Sequence, residues 1–298
     1  MEIVSSTHIP GLNLLGRGKV RDIYEVDAQT LLIVTTDRMS AFDVVMREPI
    51  PFKGVILNQL TIFWMRLLEN IIPNHLIADD PADFPSGLKA HAAQLNGRAV
   101  LARRAQALPV ECIARGYLAG SGWEEYLHKG TLAGQHLPAG LLESQRLPAP
   151  LFTPSTKAAP GEHDMPITPA EACKILGDEL CGDVERTTLE IYRLAVEYAG
   201  QRGLIVADTK LELGLVGGEL ILIDEVLTPD CSRFWAKAGF EPGLRQPSFD
   251  KQYLRDWLSA QAWDKTPPPP ALPPDVIGHT AAKYREAYTL ITGQTLPF

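Results

Sequence analysis

A chain of 298 residues has room for one large domain or two of about 150 residues each, with a substantial core. Apolar residues are 45% and charged residues 21% of the total, an ordinary globular balance that excludes global disorder and fibrous repeats. The 28 Lys and Arg against 36 Asp and Glu leave a net charge of −8, which argues against nucleic-acid and membrane-surface partners but allows local basic pockets.

From Lys19 the chain reads as short strands joined by turns: KVRDIYEV, a polar break at Asp27 to Gln29, then TLLIVTT ending at Thr36. An N-terminal antiparallel lobe is expected there. Gly54 to Asn70 has apolar residues at helical spacing, with Pro73 just beyond its end. Two strand-like runs, AVLARRA and LPVECIAR, lead into the small-residue segment GYLAGSG, read as a tight loop or a helix start. Gly130 to Thr168, rich in Pro, Gly and polar residues, reads as an extended segment facing substrate. Pro169 to Gln201 is amphipathic at helical period. GLIVADTKLELGL, a Gly217-Gly218 turn and ELILIDEV predict a hairpin. TPPPPALPPD, with six prolines in ten residues, reads as a stiff tether or a partner-binding motif before a last helix of 276–292.

No apolar run approaches the ~18 residues of a membrane span, and MEIVSSTHIPG lacks the blocks of a secretory leader, so a cytoplasmic protein is expected. Cys112, Cys173, Cys181 and Cys231 form no C-x-x-C pair, and they are expected to be reduced, packed thiols. The histidines show no zinc pattern.

The chemistry-bearing residues fall into a few groups. Gly16, Arg17, Gly18 and Lys19 read as a turn whose N–H groups and Lys19, with Arg21 two residues on, can face a triphosphate; taken alone, a plain glycine turn opening a hairpin is the commoner explanation. Asp208, Lys210 and Glu212 alternate along one strand, sharing a face while Leu211, Leu213 and Leu215 turn to the core. Asp224 and Glu225 are placed on the hairpin partner. Carboxylates so gathered suit Mg²⁺ shared with nucleotide phosphates, against the alternative of a solvated face with cross-strand ion pairs. Arg115, Ser121, Ser232 and Arg233 sit beside small residues in turns after buried-type strands, where guanidinium and hydroxyl groups bind phosphate or carboxylate. Asp37, Asp43, Ser155, Thr156 and Lys157 read either as caps and turn formers or as ligand contacts, and His163 reads as structural.

Taken in order, GKVRDIY, TDRMSAFDVVM, KGVILNQL, VECIARGYLAGSGW, TPSTKAAPGEHD, VADTKLELG, IDEVLTPDCSR and SFDKQYLRDWL resemble the SAICAR synthetase family over nearly the whole chain, in its longer single-chain form. The resemblance implies an α+β, two-lobed fold related to kinases or ATP-grasp enzymes: an antiparallel nucleotide-covering lobe at 1–112, a mixed α/β substrate- and metal-binding lobe at 113–298, and ATP between them. It implies a monomeric, Mg²⁺-dependent ligase that joins L-aspartate to the carboxylate of carboxyaminoimidazole ribonucleotide, with ADP and phosphate released and an acyl phosphate between.

By that resemblance, Gly18, Lys19 and Arg21 contact the ATP phosphates, assisted by Arg103 or Arg104, and Glu111 lies near the base or ribose. Glu212 and Asp224 hold nucleotide and Mg²⁺, with Glu225 as a further metal ligand. Arg115, Ser121, Lys210, Ser232 and Arg233 hold the ribonucleotide, and Asp208 orients them; Lys210, Asp208 and Arg115 are the catalytic candidates. Ser40, Asp43, Ser155 and Lys157 border the substrate pocket. The chain departs from the family pattern at Ala159 and Met165-Pro166, where acids and an amide are usual, at Leu211 and Leu213 in place of Phe, and at Cys231 in place of Ser or Ala. A small-molecule kinase and a catalytically silent nucleotide-binding protein are the alternative functions.

Overall fold

A computed structural model describes residues 2–157, 164–249 and 251–296; His163 and Ala159 lie outside them. The first sheet contains β1 (Asn13–Arg17), β2 (Arg21–Glu25) and β3 (Thr30–Thr35). After helix α1 (Lys53–Leu67) it gains β4 (Leu76–Ala78) and β5 (Ala99–Arg103), in the antiparallel order β1-β2-β3-β5-β4. Alternation gives the sheet two apolar faces. Tyr24, Leu32, Val34 and Leu101 pack against Ile9, Phe84 and Leu95, while Ile33 and Val100 pack against Ile62 of α1.

The second sheet is entered through the two-residue strand Gln106–Ala107, which pairs with Gly214–Leu215, and continues with β6 (Val110–Tyr117). Helix α2 (Ser121–Lys129), β7 (Arg146–Phe152) and β8 (Ser155–Thr156) follow. Helices α3 (Pro169–Leu176) and α4 (Asp178–Gly200) precede β9 (Leu204–Val216), β10 (Glu219–Ile223) and β11 (Ser232–Ala236). The order is β7-β6-β9-β10; β8 pairs with β6, and β11 with β9. Every pairing in it is antiparallel. Helices α5 (Gln252–Ser259) and α6 (Pro274–Thr292) close the chain. The α+β expectation therefore holds, and the mixture in the second part is of helices with an antiparallel sheet.

The main core joins both parts. The buried face of α6, including Val276, Tyr284, Tyr288 and Ile291, packs on α1, and α4 covers the back of β9 and β6. Among the described residues no helix is long and apolar enough to cross a membrane.

Helix α1 starts at Phe52 with no side-chain cap of its own. Asp37, from the end of β3, supplies the cap instead: its carboxylate accepts the Gly54 N–H at 2.9 Å and the Val4 N–H at 2.8 Å, and pairs with buried Arg98 at 3.2 Å. A Cβ on Gly54 would lie 2.4 Å from the Thr35 carbonyl oxygen and 2.7 Å from Arg98 Nη1. We expect Gly54→Ala to lose about 2 kcal/mol, read as a lowered denaturant midpoint, because neither the strand backbone nor the ion pair can move aside. An unchanged midpoint would contradict that rigidity.

Asp22 is a second buried anchor, accepting the Thr7 N–H and hydroxyl at 2.8 Å each and paired with Arg38 at 2.8 Å and Arg17 at 3.1 Å. Burial opposes its charge, but the Thr7 N–H and the Arg38 guanidinium outweigh burial and hold its pKa below the ordinary carboxylate value. Its stabilising contribution is present in full above the unfolded pKa of about 3.9 and lost as pH falls through the lower folded value. Thermal melts from pH 5 to pH 2 should therefore fall less steeply for Asp22→Asn than for the parent; an equal slope would remove Asp22 from the acid transition.

Four expectations are corrected. Gly16 and Arg17 belong to β1, so the turn begins only at Gly18, whose N–H bonds the Arg21 carbonyl at 2.7 Å. Pro169 to Gln201 is two helices, broken at Gly177 with φ of 83°. That break folds α3 back on α4, bringing the Cα atoms of Cys173 and Cys181 to 5.0 Å and allowing a disulfide where reduced thiols were expected. Eight residues apart on one continuous helix, those atoms would be ~12 Å apart. Asp224 and Glu225 lie beyond the end of β10 rather than on it, because Asp224 takes a left-handed backbone with φ of 58° that ends the ladder at Ile223.

Candidate active site

Strand β9 carries the centre of the site. Leu211 and Leu213 are buried in the main core, while Asp208, Lys210 and Glu212 occupy the other face. Register places Arg115 of β6 and Arg233 of β11 opposite Asp208 on its two sides, and a bulge lies between Val206 and Asp208. Asp208 is buried and accepts Arg115 Nη1 at 2.8 Å and Arg233 Nη1, so one carboxylate aligns two guanidiniums. Arg115 also donates to Thr153 Oγ1 at 3.1 Å and to Ser121 Oγ at 3.2 Å. Ser232 meets Thr209, with the hydroxyls 2.7 Å apart.

Gly120 explains part of the small-residue segment before α2. A Cβ there would lie 2.3 Å from Arg233 Nη2, and its φ of 53° suits glycine. The guanidinium occupies the space that a side chain would fill.

Next along the face, Lys210 pairs with Glu111, whose other oxygen accepts the Ser155 hydroxyl at 3.2 Å. Burial works against the Lys210 ammonium, yet the adjacent Glu111 carboxylate holds its pKa above the ordinary lysine value. The Glu111 carboxyl is itself pushed up by burial, with Lys210 opposing. Lys157 pairs with Glu212. Lys210 and Glu111 stand in the walls of two cavities that share Ile113 and Arg115: one of about 190 Å³, lined by Lys210, Ser232 and Arg233, and one of about 470 Å³, lined by Glu111, Ser121 and Ser155. Asp164 and Pro166 also line the larger one, so the departure at Met165-Pro166 touches its wall.

On the other side, Arg21 of β2 reaches across to the second sheet, with Nη1 3.0 Å from Asp224 Oδ2 and Nη2 3.0 Å from Glu225 Oε1. Lys19 pairs with Asp43, whose φ of 63° continues a left-handed stretch begun at Phe42. Ser40 is buried in the small hairpin of Ser40–Ala41 with Val44–Val45. Arg38 pins the Gly18–Lys19 turn, donating to the Gly18 carbonyl at 2.9 Å and the Lys19 carbonyl at 3.4 Å. Left-handed backbone at Phe42, Asp43, Asp224 and Leu227 gathers around this side, a pattern typical of functional segments.

Not every expected residue joins. Register sets Arg103 opposite Thr30 and Arg21 opposite Thr35, so Arg103 stands at the other end of the strands, and Arg104 pairs with Glu25 at 2.6 Å. Cys231 lines the smaller cavity, but burial pushes its thiol up to about 12, leaving it neutral and a poor nucleophile at neutral pH. Several residues of the site carried no sequence signal of their own. Arg38 and Thr153 stand inside quoted motifs but were singled out for no role, and Arg255 of α5 lines the smaller cavity although that helix was not expected.

The donor set around Arg21 tests the metal expectation. Glu212, Asp224 and Glu225 are hard oxygen donors, and all three act electrostatically on Arg21. Among the described residues, no three His, Cys, Asp or Glu side chains are gathered closely enough to hold a metal alone. The set therefore fits a Mg²⁺ ion whose coordination is completed by phosphate oxygens, and does not fit an all-protein cage.

The chain is similar to proteins already known. The SAICAR synthetase family model matches residues 14–270. The chain is 55% identical over 293 residues to the phosphoribosylaminoimidazole-succinocarboxamide synthase of Maridesulfovibrio salexigens, covering 98% of each chain. With that of Geobacter sulfurreducens it shares 52% over 293 residues, covering 98% of this chain and 99% of the relative. Among solved structures, the SAICAR synthase of Saccharomyces cerevisiae complexed with SAICAR is 43% identical with a TM-score of 0.89, covering 99% of this chain and all of the yeast chain. A match over most of its length, with close relatives and the same fold, means that the chain belongs to the SAICAR synthetase family.

Proposed function

We propose that the chain is an ATP-dependent ligase of purine biosynthesis, joining the amine of L-aspartate to the carboxylate of carboxyaminoimidazole ribonucleotide and releasing ADP and phosphate. The observation that carries the reading is the shared sheet face on which Asp208 aligns Arg115 and Arg233, with Lys210 and Glu212 following along the same strand. The yeast relative is complexed with SAICAR, the product this reading assigns to the chain.

A carboxylate resists amines until one of its oxygens is made a good leaving group. In the proposed sequence, a substrate carboxylate oxygen attacks the γ-phosphorus of ATP, the bond to ADP breaks, and an acyl phosphate forms. The neutral aspartate amine then attacks the acyl carbon, phosphate departs with the former carboxylate oxygen, and the nitrogen loses a proton. Arg115, Ser121, Ser232 and Arg233 hold the ribonucleotide, oriented through Asp208, and Lys210 stabilises negative charge on the reacting carboxyl and phosphoryl oxygens. Gly18, Lys19 and Arg21 face the nucleotide phosphates, with Glu111 toward the base or ribose. Ser40, Asp43, Ser155 and Lys157 border the aspartate side. When bound, Mg²⁺ neutralises phosphate charge, and Glu212 and Asp224, with Glu225 adjacent, are the side chains suited to hold it.

The pairs Lys157–Glu212 and Lys19–Asp43 are solvent-accessible ion pairs whose partners can be exchanged. Phosphate ligands would take over the cations and metal the carboxylates, leaving each charge compensated.

The test is phosphate release from ATP and Mg²⁺ with the ribonucleotide and L-aspartate supplied singly and together, alongside mass detection of product. Release only with both, plus the succinocarboxamide mass, is the expected result. Release with the ribonucleotide alone supports a phosphotransferase that stops at activation, and binding without turnover supports a regulatory protein.

A further inference from the structure

The floor of the smaller cavity is built in a way the proposed chemistry does not use. Asp230 lines that cavity, yet its side chain is only 3% exposed. Three side chains from distant parts of the chain converge on it: Lys53 in the first turn of α1 at 2.8 Å, Lys251 just before α5 at 3.0 Å, and the Tyr284 hydroxyl of α6. Lys53 is fully buried and also stands 5.6 Å from the centre of the Tyr284 ring.

Burying a lysine is costly, and well-packed apolar residues can often replace a buried ion pair at no loss of stability. Core packing alone therefore gives no reason for this cluster. The turn around Asp230 supplies one. The Asp230 N–H bonds Thr228 Oγ1 at 3.2 Å, the Ser232 N–H bonds the Thr228 carbonyl at 2.9 Å, and Leu227 enters the turn with a left-handed φ of 53°. Ser232 and Arg233 leave the same turn directly into the cavity wall. A side chain that fixes Asp230 therefore fixes the origin of both.

We infer that Asp230 is a positioning residue for ribonucleotide binding: clamped by Lys53, Lys251 and Tyr284, it fixes the 228–231 turn, so that α1 and α6 set where Ser232 and Arg233 meet the substrate. This rests on reading the smaller cavity as the ribonucleotide site. Helix α6 then acts on binding from outside the cavity, through one hydroxyl.

Steady-state kinetics of Tyr284→Phe and Lys53→Met test the inference, with Arg233→Ala in parallel. Tyr284→Phe keeps the buried ring and removes only the hydroxyl. The Michaelis constant for the ribonucleotide should rise about tenfold in both variants, while those for ATP and aspartate, and kcat, stay within about twofold. An equal rise for all three substrates, as general loosening would give, or no rise for the ribonucleotide, overturns the positioning role. Should either variant be poorly folded, calorimetric titration of carboxyaminoimidazole ribonucleotide into the other decides: tenfold weaker binding supports the role and unchanged binding overturns it. Ribonucleotide binding that is indifferent to Arg233→Ala would overturn the cavity assignment itself. A strong Arg233 effect beside silent Tyr284 and Lys53 variants would remove the positioning role alone.

Discussion

Asp224→Asn is expected to lower kcat by about a hundred- to a thousandfold while leaving the melting temperature nearly unchanged. The side chain is 25% exposed and pairs with Arg21, which keeps Glu225 as its second partner, so no buried charge is orphaned by the change. Asparagine also tolerates the left-handed backbone, φ of 58°, that aspartate adopts here, so the turn after β10 survives. On the proposed reading, what is lost is the formal charge of an oxygen donor suited to share Mg²⁺ with phosphate. The check is turnover across a Mg²⁺ titration together with a melt. Near-normal turnover at limiting Mg²⁺ would remove Asp224 from the metal site, and a large drop in melting temperature would make its role structural.

Arg233→Ala should raise the Michaelis constant for the ribonucleotide by about a hundredfold and leave that for ATP within about threefold. The guanidinium is held against Asp208 and over Gly120, aimed at the smaller cavity, so an anionic ligand meets it already oriented. Its removal leaves Asp208 paired with Arg115 at 2.8 Å, which limits the structural damage. Gly120→Ala offers an independent approach, because the added carbon displaces the same guanidinium and should weaken the same substrate. A selective ATP defect in Arg233→Ala would move that arginine to the nucleotide side.

Much of this site was legible because its chemistry lies on period-two strands. Alternation alone puts Asp208, Lys210 and Glu212 opposite Leu211 and Leu213, and the structure keeps that division. The apolar helix after Gly54 and the Gly217-Gly218 hairpin follow equally local rules. Two of the misses, and a third that depends on the first, originate in backbone that turns left-handed. Gly177 splits a helix that reads as continuous, and Asp224 ends a strand that reads one or two residues longer. Neither a period nor a composition window registers a single change of φ, and the Cys173–Cys181 bond depends on the first of them.

The amino-acid sequence by itself determined the α+β class, the main strands and helices, the family, and which side chains carry charge toward a common chemistry. These follow from short-range periodicity and from ordered motifs, which survive without knowledge of the neighbours. Tertiary structure alone decided how those charges are partnered: Arg21 across the sheets to Asp224, Lys157 to Glu212, and Lys53 to Asp230 across 177 positions of chain. It also set Arg103 at the far end of the strands and placed Tyr284 beneath the cavity. The reason is that a buried charge is tolerated only where packing brings a counter-charge within a few ångströms, and that proximity belongs to the folded core rather than to any local stretch of sequence.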